Sequence, residues 1–203
     1  MCKCALITQR KLWKMEPLLL PKPGRDCITC AVVANGGVLW RSKKGAEIDS
    51  HDYVFRVNGA VTKGFEEDVG NRTDVYVHTA HSITQSEIVL WRYHYERAPH
   101  DQVWRVQSWF SLGLYLKSLY TTVDAYGFIT ENYKLYSNYY VERGAKTRVV
   151  FYENHDYPLE MALWRRLHDL GIIHLYLGEP RETERTAQPT TSANATHTKG
   201  KKS

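Results

Sequence analysis

No cysteine follows residue 30, no run of about eighteen consecutive apolar residues occurs, and no Asp-x-Asp pair stands anywhere in the 203 residues. Each absence excludes something. Without a long apolar run there is no membrane-spanning helix to read. Residues 1–15 are polar and mixed, with neither the apolar centre nor the cleavage-like end of a signal peptide. As written, then, the sequence shows no signal or anchor for the secretory pathway. Without Asp-x-Asp there is no paired-carboxylate motif to imply a divalent metal. Excess charge is scarce too: 27 Lys and Arg against 22 Asp and Glu leave a net +5, part of it in Lys199, Lys201 and Lys202. That balance suits an anionic ligand but falls short of the basic stripe of a nucleic-acid binder, so no nucleic-acid partner is expected. No internal repeat is visible.

The four cysteines, Cys2, Cys4, Cys27 and Cys30, are spaced C-x-C and C-x-x-C, as a zinc knuckle or a redox pair would space them. Cys27 and Cys30, however, flank Ile28-Thr29 and run into Ala31-Val32-Val33. That is strand chemistry rather than turn chemistry. A cytosolic zinc-binding interaction module remains the weaker alternative.

What is present is a chain of ordinary single-domain size, 43% hydrophobic, with 14 Tyr and 6 Trp. Aromatics in that number suit stacking on sugars and bases. Residues 1–26 read as an irregular segment ending in Pro21-Lys22-Pro23-Gly24, residues 27–178 as the domain, and 179–203 as a disordered tail rich in Pro, Thr, Ser and Lys. Strands are expected at 27–34, 53–58, 74–79, 123–129, 147–152 and 172–177. Helices are expected over 38–49, interrupted by Gly45, over 82–95, and from Pro158 to Leu170. In the last of these Leu159, Leu163, Leu167 and Leu170 recur at helical spacing and Gly171 fits the C-cap. Strand, glycine turn, helix, strand opens a parallel α/β sheet flanked by helices.

Four constellations carry chemistry. Residues 27–73 begin with a strand ending in Asn35-Gly36-Gly37, where backbone N–H groups and a side-chain amide suit an anion. The next strand also ends in an asparagine, Asn58, at the edge where open α/β sheets bind ligands. Taken alone, Asn-Gly-Gly is a common turn. The second is Asp124-Ala125-Tyr126-Gly127-Phe128-Ile129-Thr130, by itself a strand with a glycine bulge. The third is Ser137-Asn138-Tyr139-Tyr140-Val141-Glu142, where adjacent tyrosines also suit plain packing. The fourth is His155-Asp156-Tyr157-Pro158-Leu159-Glu160. A histidine after a strand and beside a helix N-terminus reaches an acceptor hydroxyl and titrates near neutrality, and that helix end favours a departing phosphate. The plainer alternative makes Glu160 a capping residue at the third helical position and His155 a surface histidine.

Taken together and in order, these strings resemble the large, small, third and very small sialylmotifs of animal sialyltransferases. The stretch from Leu163-Trp164-Arg165-Arg166 to Leu175-Tyr176 resembles the subgroup acting on N-acetylgalactosaminides. The resemblance implies a variant GT-A-like, Rossmann-like sialyltransferase fold, incomplete here. It implies an inverting transfer of sialic acid from CMP-sialic acid to the 6-hydroxyl of O-linked N-acetylgalactosamine on a mucin-type glycoprotein, without a metal or other cofactor. His155 would be the base, with Glu160 in support, and Asn35, Asn58, Gly127 and Tyr139 would hold the donor. The family works in the Golgi.

This sequence departs from the pattern in several places. Ala34 stands where the family has Gly, which would crowd the backbone approach to the nucleotide. A block between the first two motifs is missing, with the Pro-Thr-Thr-Gly start of the small motif. In the family Cys30 pairs with a small-motif cysteine; Tyr120 stands at that place, so that bridge is unavailable, and Cys27 is left with Cys2 or Cys4. The alternative reading keeps the fold and drops the activity: a shortened chain that binds CMP, or forms an oligomer with itself or a full-length relative. Asn71-Arg72-Thr73 and Asn194-Ala195-Thr196 are N-glycosylation acceptors by pattern, the first expected to be inaccessible once folded.

Overall fold

The computed structural model describes residues 28–78, 90–93, 122–145, 147 and 156–178. Five strands, β1 (Thr29–Val33), β2 (Tyr53–Val57), β3 (Val75–Val77), β4 (Thr122–Tyr126) and β5 (His174–Leu175), form one sheet in the order β3-β2-β1-β4-β5. Every pairing is parallel, with Val32 opposite Phe55 on one side and Ala125 on the other. A parallel sheet must be covered on both faces, and the strand sequences carry apolar residues on both. Cys30 and Val32 join Phe55, Val57, Val75 and Val123 in one layer. Ala31 and Val33 join Val54 and Tyr126 in the other.

Helix α3 (Tyr157–Asp169) closes the first layer with Trp164 and Leu167, each worth about 1.5–3 kcal/mol when fully buried. Short helices α1 (Gly45–Asp49) and α2 (Glu66–Val69) close the second with Ile48 and Val69. The chain leaves β1 toward β2 and β3, then returns to the other side of β1 for β4 and β5. That reversal creates a switch point between β1 and β4, at whose carboxyl edge open α/β sheets bind their ligands.

Several expectations are corrected. Residues 38–49 are not one helix broken at Gly45: a 3-10 turn (Gly37–Leu39) comes first and Gly45 opens α1. Between them Arg41 and Lys43 have φ of 60° and 55°, which no helix tolerates. Asp68 of α2 holds them there, accepting from Arg41 N at 2.7 Å and Lys43 N at 3.0 Å. The fourth strand stops at Tyr126 because Gly127 turns the chain at φ +72°. The last strand is only two residues.

In α3 only the middle of the leucine stripe lies on the buried face. Leu159 and Leu170 are 63% and 53% exposed, while Trp164 and Leu167 are buried and Leu163 partly so. The helix ends as expected: Gly171 sits at φ +64°, and Gly171 N and Ile172 N donate to His168 O and Leu167 O. The strand expected at 147–152 and the helix at 82–95 fall outside the described residues, apart from Thr147 and residues 90–93, where Trp91–Tyr93 form a 3-10 turn. No helix among the described residues is long and apolar enough to cross a membrane.

Candidate functional site

Asn35 follows the end of β1, and its Nδ2 donates to Val57 O at 3.3 Å and to Asn58 O. Both partners are carbonyl oxygens, so the amide nitrogen must face them and Oδ1 is turned away. Asn58 ends β2 in a left-handed conformation, φ 49°, which asparagine accepts more readily than most residues. Its N–H donates to Val77 O at 2.9 Å, fixing it to β3. Among the described residues the Asn58 side-chain amide makes no hydrogen bond.

Gly127 comes into the same place from β4. Gly36 N donates to Gly127 O at 2.8 Å, and a Cβ on Gly36 would stand 2.5 Å from that oxygen. A Cβ on Gly127 would meet Leu39 Cδ1 at 2.6 Å and Ala34 O at 2.8 Å. The Asn-Gly-Gly turn thus needs its first glycine for backbone contact with β4, and that N–H is already engaged within the fold. Ala34 packs against the core layer of β1, so its methyl contributes to packing.

Tyr139 closes the group. Gly36 and Tyr139 form an isolated antiparallel bridge, and Tyr140 N donates to Asn35 O at 3.0 Å. The two tyrosines divide the work. Tyr140 is fully buried, donates its hydroxyl to Val61 O at 2.5 Å, and burial pushes its phenol well above the ordinary value. Tyr139 is 38% exposed. Asn35, Asn58, Gly127 and Tyr139, up to 104 positions apart in the chain, therefore meet at the carboxyl edge of β1, β2 and β4.

The support around Tyr139 was not legible in advance. Glu142 Oε2 accepts from Tyr139 N at 2.9 Å and from Thr147 Oγ1 at 2.6 Å, and Thr147 Oγ1 accepts from Asn138 N at 2.9 Å. The only signal was a glutamate three residues after a turn-opening position. Beside this network lies a cleft of about 410 Å³ lined by Phe65, Tyr93, Val141, Glu142, Arg143, Ala145 and Thr147. The exposed Arg143 guanidinium lies 5.5 Å over the Phe65 ring.

His155 lies outside the described residues, directly before α3. At the helix start Asp156 is the N-cap, its Oδ1 accepting from Leu159 N at 3.0 Å. Glu160 is the fourth helical residue, not the third, and not the cap; its N–H donates to Asp156 O at 2.9 Å. The carboxylate at Asp156 already answers the positive end of the helix, so that end is a poorer seat for a phosphate than the sequence suggests.

Cys30 is 0% exposed inside the first core layer and is a free thiol. Burial, then the nearby carboxylates of Asp52, Asp124 and Asp74, push it up to about 12. Cys30 is thus a core side chain, and Cys2, Cys4 and Cys27, the other cysteines of the weaker zinc alternative, lie outside the described residues.

Toward the opposite edge of the sheet, His51 Nε2 lies 2.7 Å from Asp124 Oδ2, and His174 Nδ1 lies 3.3 Å from Asp124 Oδ1. Burial lowers the His51 pKa, but the hydrogen bond and charge of Asp124 outweigh it and leave it raised.

Comparison with known proteins fits this architecture. Residues 4–122 and 118–172 match the profile of glycosyltransferase family 29 (sialyltransferase). The alpha-N-acetylgalactosaminide alpha-2,6-sialyltransferase 1 of Mus musculus is 37% identical over 235 positions, which cover 77% of this chain and 44% of that protein. The alpha-N-acetylgalactosaminide alpha-2,6-sialyltransferase 2 of Homo sapiens is 34% identical over 241 positions, 79% of this chain and 64% of that protein. Both alignments are longer than the 203-residue chain, so each relative carries stretches with no counterpart here. The chain spans less than two thirds of either relative. Among solved structures, a mammalian sialyltransferase superposes with a TM-score of 0.53 at 24% identity, over 75% of this chain and 70% of that one. A mammalian sialyltransferase in complex with Gal-beta-1-3GalNAc-ortho-nitrophenol gives a TM-score of 0.54. The chain belongs to glycosyltransferase family 29, the sialyltransferases.

Proposed function

We propose that the chain transfers sialic acid from CMP-sialic acid to the 6-hydroxyl of O-linked N-acetylgalactosamine on mucin-type glycoproteins, in the Golgi lumen and without a metal. The observation that carries this reading is the convergence of Asn35, Asn58, Gly127 and Tyr139 at the carboxyl edge of the sheet, beside its switch point. Asn35 Oδ1 and the unengaged Asn58 amide would grip the cytidine monophosphate, with the main chain at Gly127 and the exposed Tyr139 ring forming the wall of the donor pocket. The acceptor sugar would enter the adjoining cleft, stacking on its aromatic lining.

His155 would take the proton of the acceptor hydroxyl as that oxygen attacks the anomeric carbon of the sialic acid. The bond from that carbon to the phosphate oxygen breaks, CMP leaves with the electron pair, and the configuration inverts. Glu160, near the start of α3, would help to hold the orientation of that segment.

The test is transfer of labelled sialic acid to a mucin-type glycopeptide. Turnover that persists in EDTA and drops at least about a hundredfold in His155→Ala is the expected result. Undiminished turnover in that variant would remove His155 as the base.

One observation favours a second reading. Alignments longer than the chain itself mean that parts of each relative are missing here. A shortened chain would then bind CMP, or associate with a full-length relative, without turnover. Calorimetric CMP binding with no transfer, beside an active relative, would select that reading.

A further inference from the structure

Asn71-Arg72-Thr73 is expected from the sequence to be inaccessible once folded; in the structure the Asn71 side chain is exposed while the rest of the triplet is tied into the fold. Asn71 is exposed, in the turn between α2 and β3, just after Gly70 at φ +70°. Its backbone N–H donates to Asp49 Oδ2 at 2.9 Å and that of Arg72 to Asp49 Oδ1 at 3.1 Å. The Asn71 side-chain amide makes no hydrogen bond among the described residues. The residue after it is not proline, so the triplet has the composition of an N-glycosylation acceptor. The turn feeds the amino end of β3. In a sheet whose strands are all parallel, that is the edge opposite Asn35, Asn58 and Gly127.

We propose that Asn71 is an N-linked glycosylation site whose glycan projects from the edge of the sheet away from the donor pocket. The site rests on the lumenal setting that the proposed function implies. In the transfer, Asn71 Nδ2 bonds to the anomeric carbon of the first sugar of a lipid diphosphate-linked oligosaccharide. The bond from that carbon to the diphosphate oxygen breaks, the lipid diphosphate leaves with the electron pair, and the amide gives up one proton.

Timing follows from the packing. In the folded chain Thr73 Oγ1 accepts from Nε of Arg56 at 3.1 Å, and Arg56 is 1% exposed. Asp49 pins the two backbone N–H groups before it. A triplet held this way no longer offers its threonine hydroxyl and main chain to a transferase. The glycan is therefore added before β3 docks beside β2, and a folded chain is not a substrate.

The experiment uses the full chain, carrying Asn194→Gln so that one acceptor triplet remains, sent into the secretory lumen behind a cleavable leader and recovered from the medium. Peptide-N-glycosidase digestion in heavy-oxygen water, read by mass spectrometry, is expected to show labelled Asp at position 71, and Asn71→Gln to abolish the glycosidase-sensitive mobility shift. Unmodified Asn71 in the recovered chain would overturn the site. Equal modification when the purified, folded, glycan-free chain is offered to the transferase with its lipid-linked donor would overturn the timing. CMP binding is measured on the same material and is independent of the label. A glycan at Asn71 without CMP binding or transfer removes only the functional reading, and CMP binding with a bare Asn71 removes only this one.

Discussion

Asn35 reaches across 23 positions of sequence to donate its side-chain amide to the main-chain carbonyl of Asn58, so the ends of β1 and β2 are joined by one of the residues proposed to grip the donor. Stability and binding are therefore coupled at Asn35 but separable at Asn58. Asn35→Ala is expected to cost about 1 kcal/mol by leaving two carbonyls short of a donor. Asn35→Asp is expected to cost more, since a carboxylate would face the same oxygens. Asn58→Gly tolerates the left-handed conformation, so its melting curve should stay close to that of the parent while CMP affinity falls about tenfold, one hydrogen bond's worth. Calorimetry and thermal melts on the three variants decide; unchanged CMP affinity in Asn58→Gly would take Asn58 out of the donor pocket.

Gly127→Ala combines two faults, a side chain at φ +72° and a Cβ within 3 Å of Leu39 and the Ala34 carbonyl. The expected loss is about 1–3 kcal/mol in chemical denaturation. Because the clash pushes on the turn that holds Asn35, CMP binding should weaken in the protein that remains folded. A neutral substitution would contradict the close approach of Gly127 to Leu39 and the Ala34 carbonyl.

Stability should fall as pH rises through the titration of His51. The groups facing His51 are Asp124 on β4, the Glu47 and Ile48 carbonyls and the Glu47 carboxylate of α1, and the Tyr126 ring; His174 of β5 shares Asp124, and Arg72 Nη1 donates to the His51 carbonyl. The folded-state pKa is raised, so the stabilisation is complete below the ordinary value of 6.5 and is lost as pH climbs through the higher folded value. Denaturation midpoints from pH 5.5 to 8.5 give the slope, and Asp124→Asn should flatten it. A slope unchanged in that variant would show that another group sets it.

Cys30 should resist alkylation in the native protein and react only after unfolding, because its thiol is buried and held far from ionisation at neutral pH. Cys30→Ala is expected to cost roughly 1 kcal/mol for the small cavity it leaves. Rapid native labelling at Cys30, by mass spectrometry, would mean that β1 opens readily.

The helix over Tyr157–Asp169 shows how far local signals reach. Pro158 in the first turn and Gly171 after the last follow from backbone torsions alone, and both are where the pattern predicts. Which leucines are buried did not follow: the stripe of four was legible, but the sheet selects Trp164 and Leu167, since the face a helix turns inward depends on what it packs against. The stretch at 38–49 failed for a related reason. Its helical composition is overridden by Asp68, 25 and 27 positions away, which holds Lys43 and Arg41 in left-handed torsions. That the Asn71 side chain is exposed while its triplet is tied down did not follow from the motif, because motif content says nothing about which edge of the sheet a turn occupies.

By itself the sequence determined the alternation of strands and turns, the apolar character of both strand faces, and the four motifs with their order, because each depends on residues within a few positions of one another. Only the tertiary structure decided that Gly36 must touch Gly127, that Asn35 must join Asn58, that Cys30 is buried in the core, and that His51 and His174 share Asp124. Those contacts span from 23 to 91 positions. They arise from strand order, which side-chain periodicity does not encode, since the same alternating pattern suits any position inside a sheet covered on both faces.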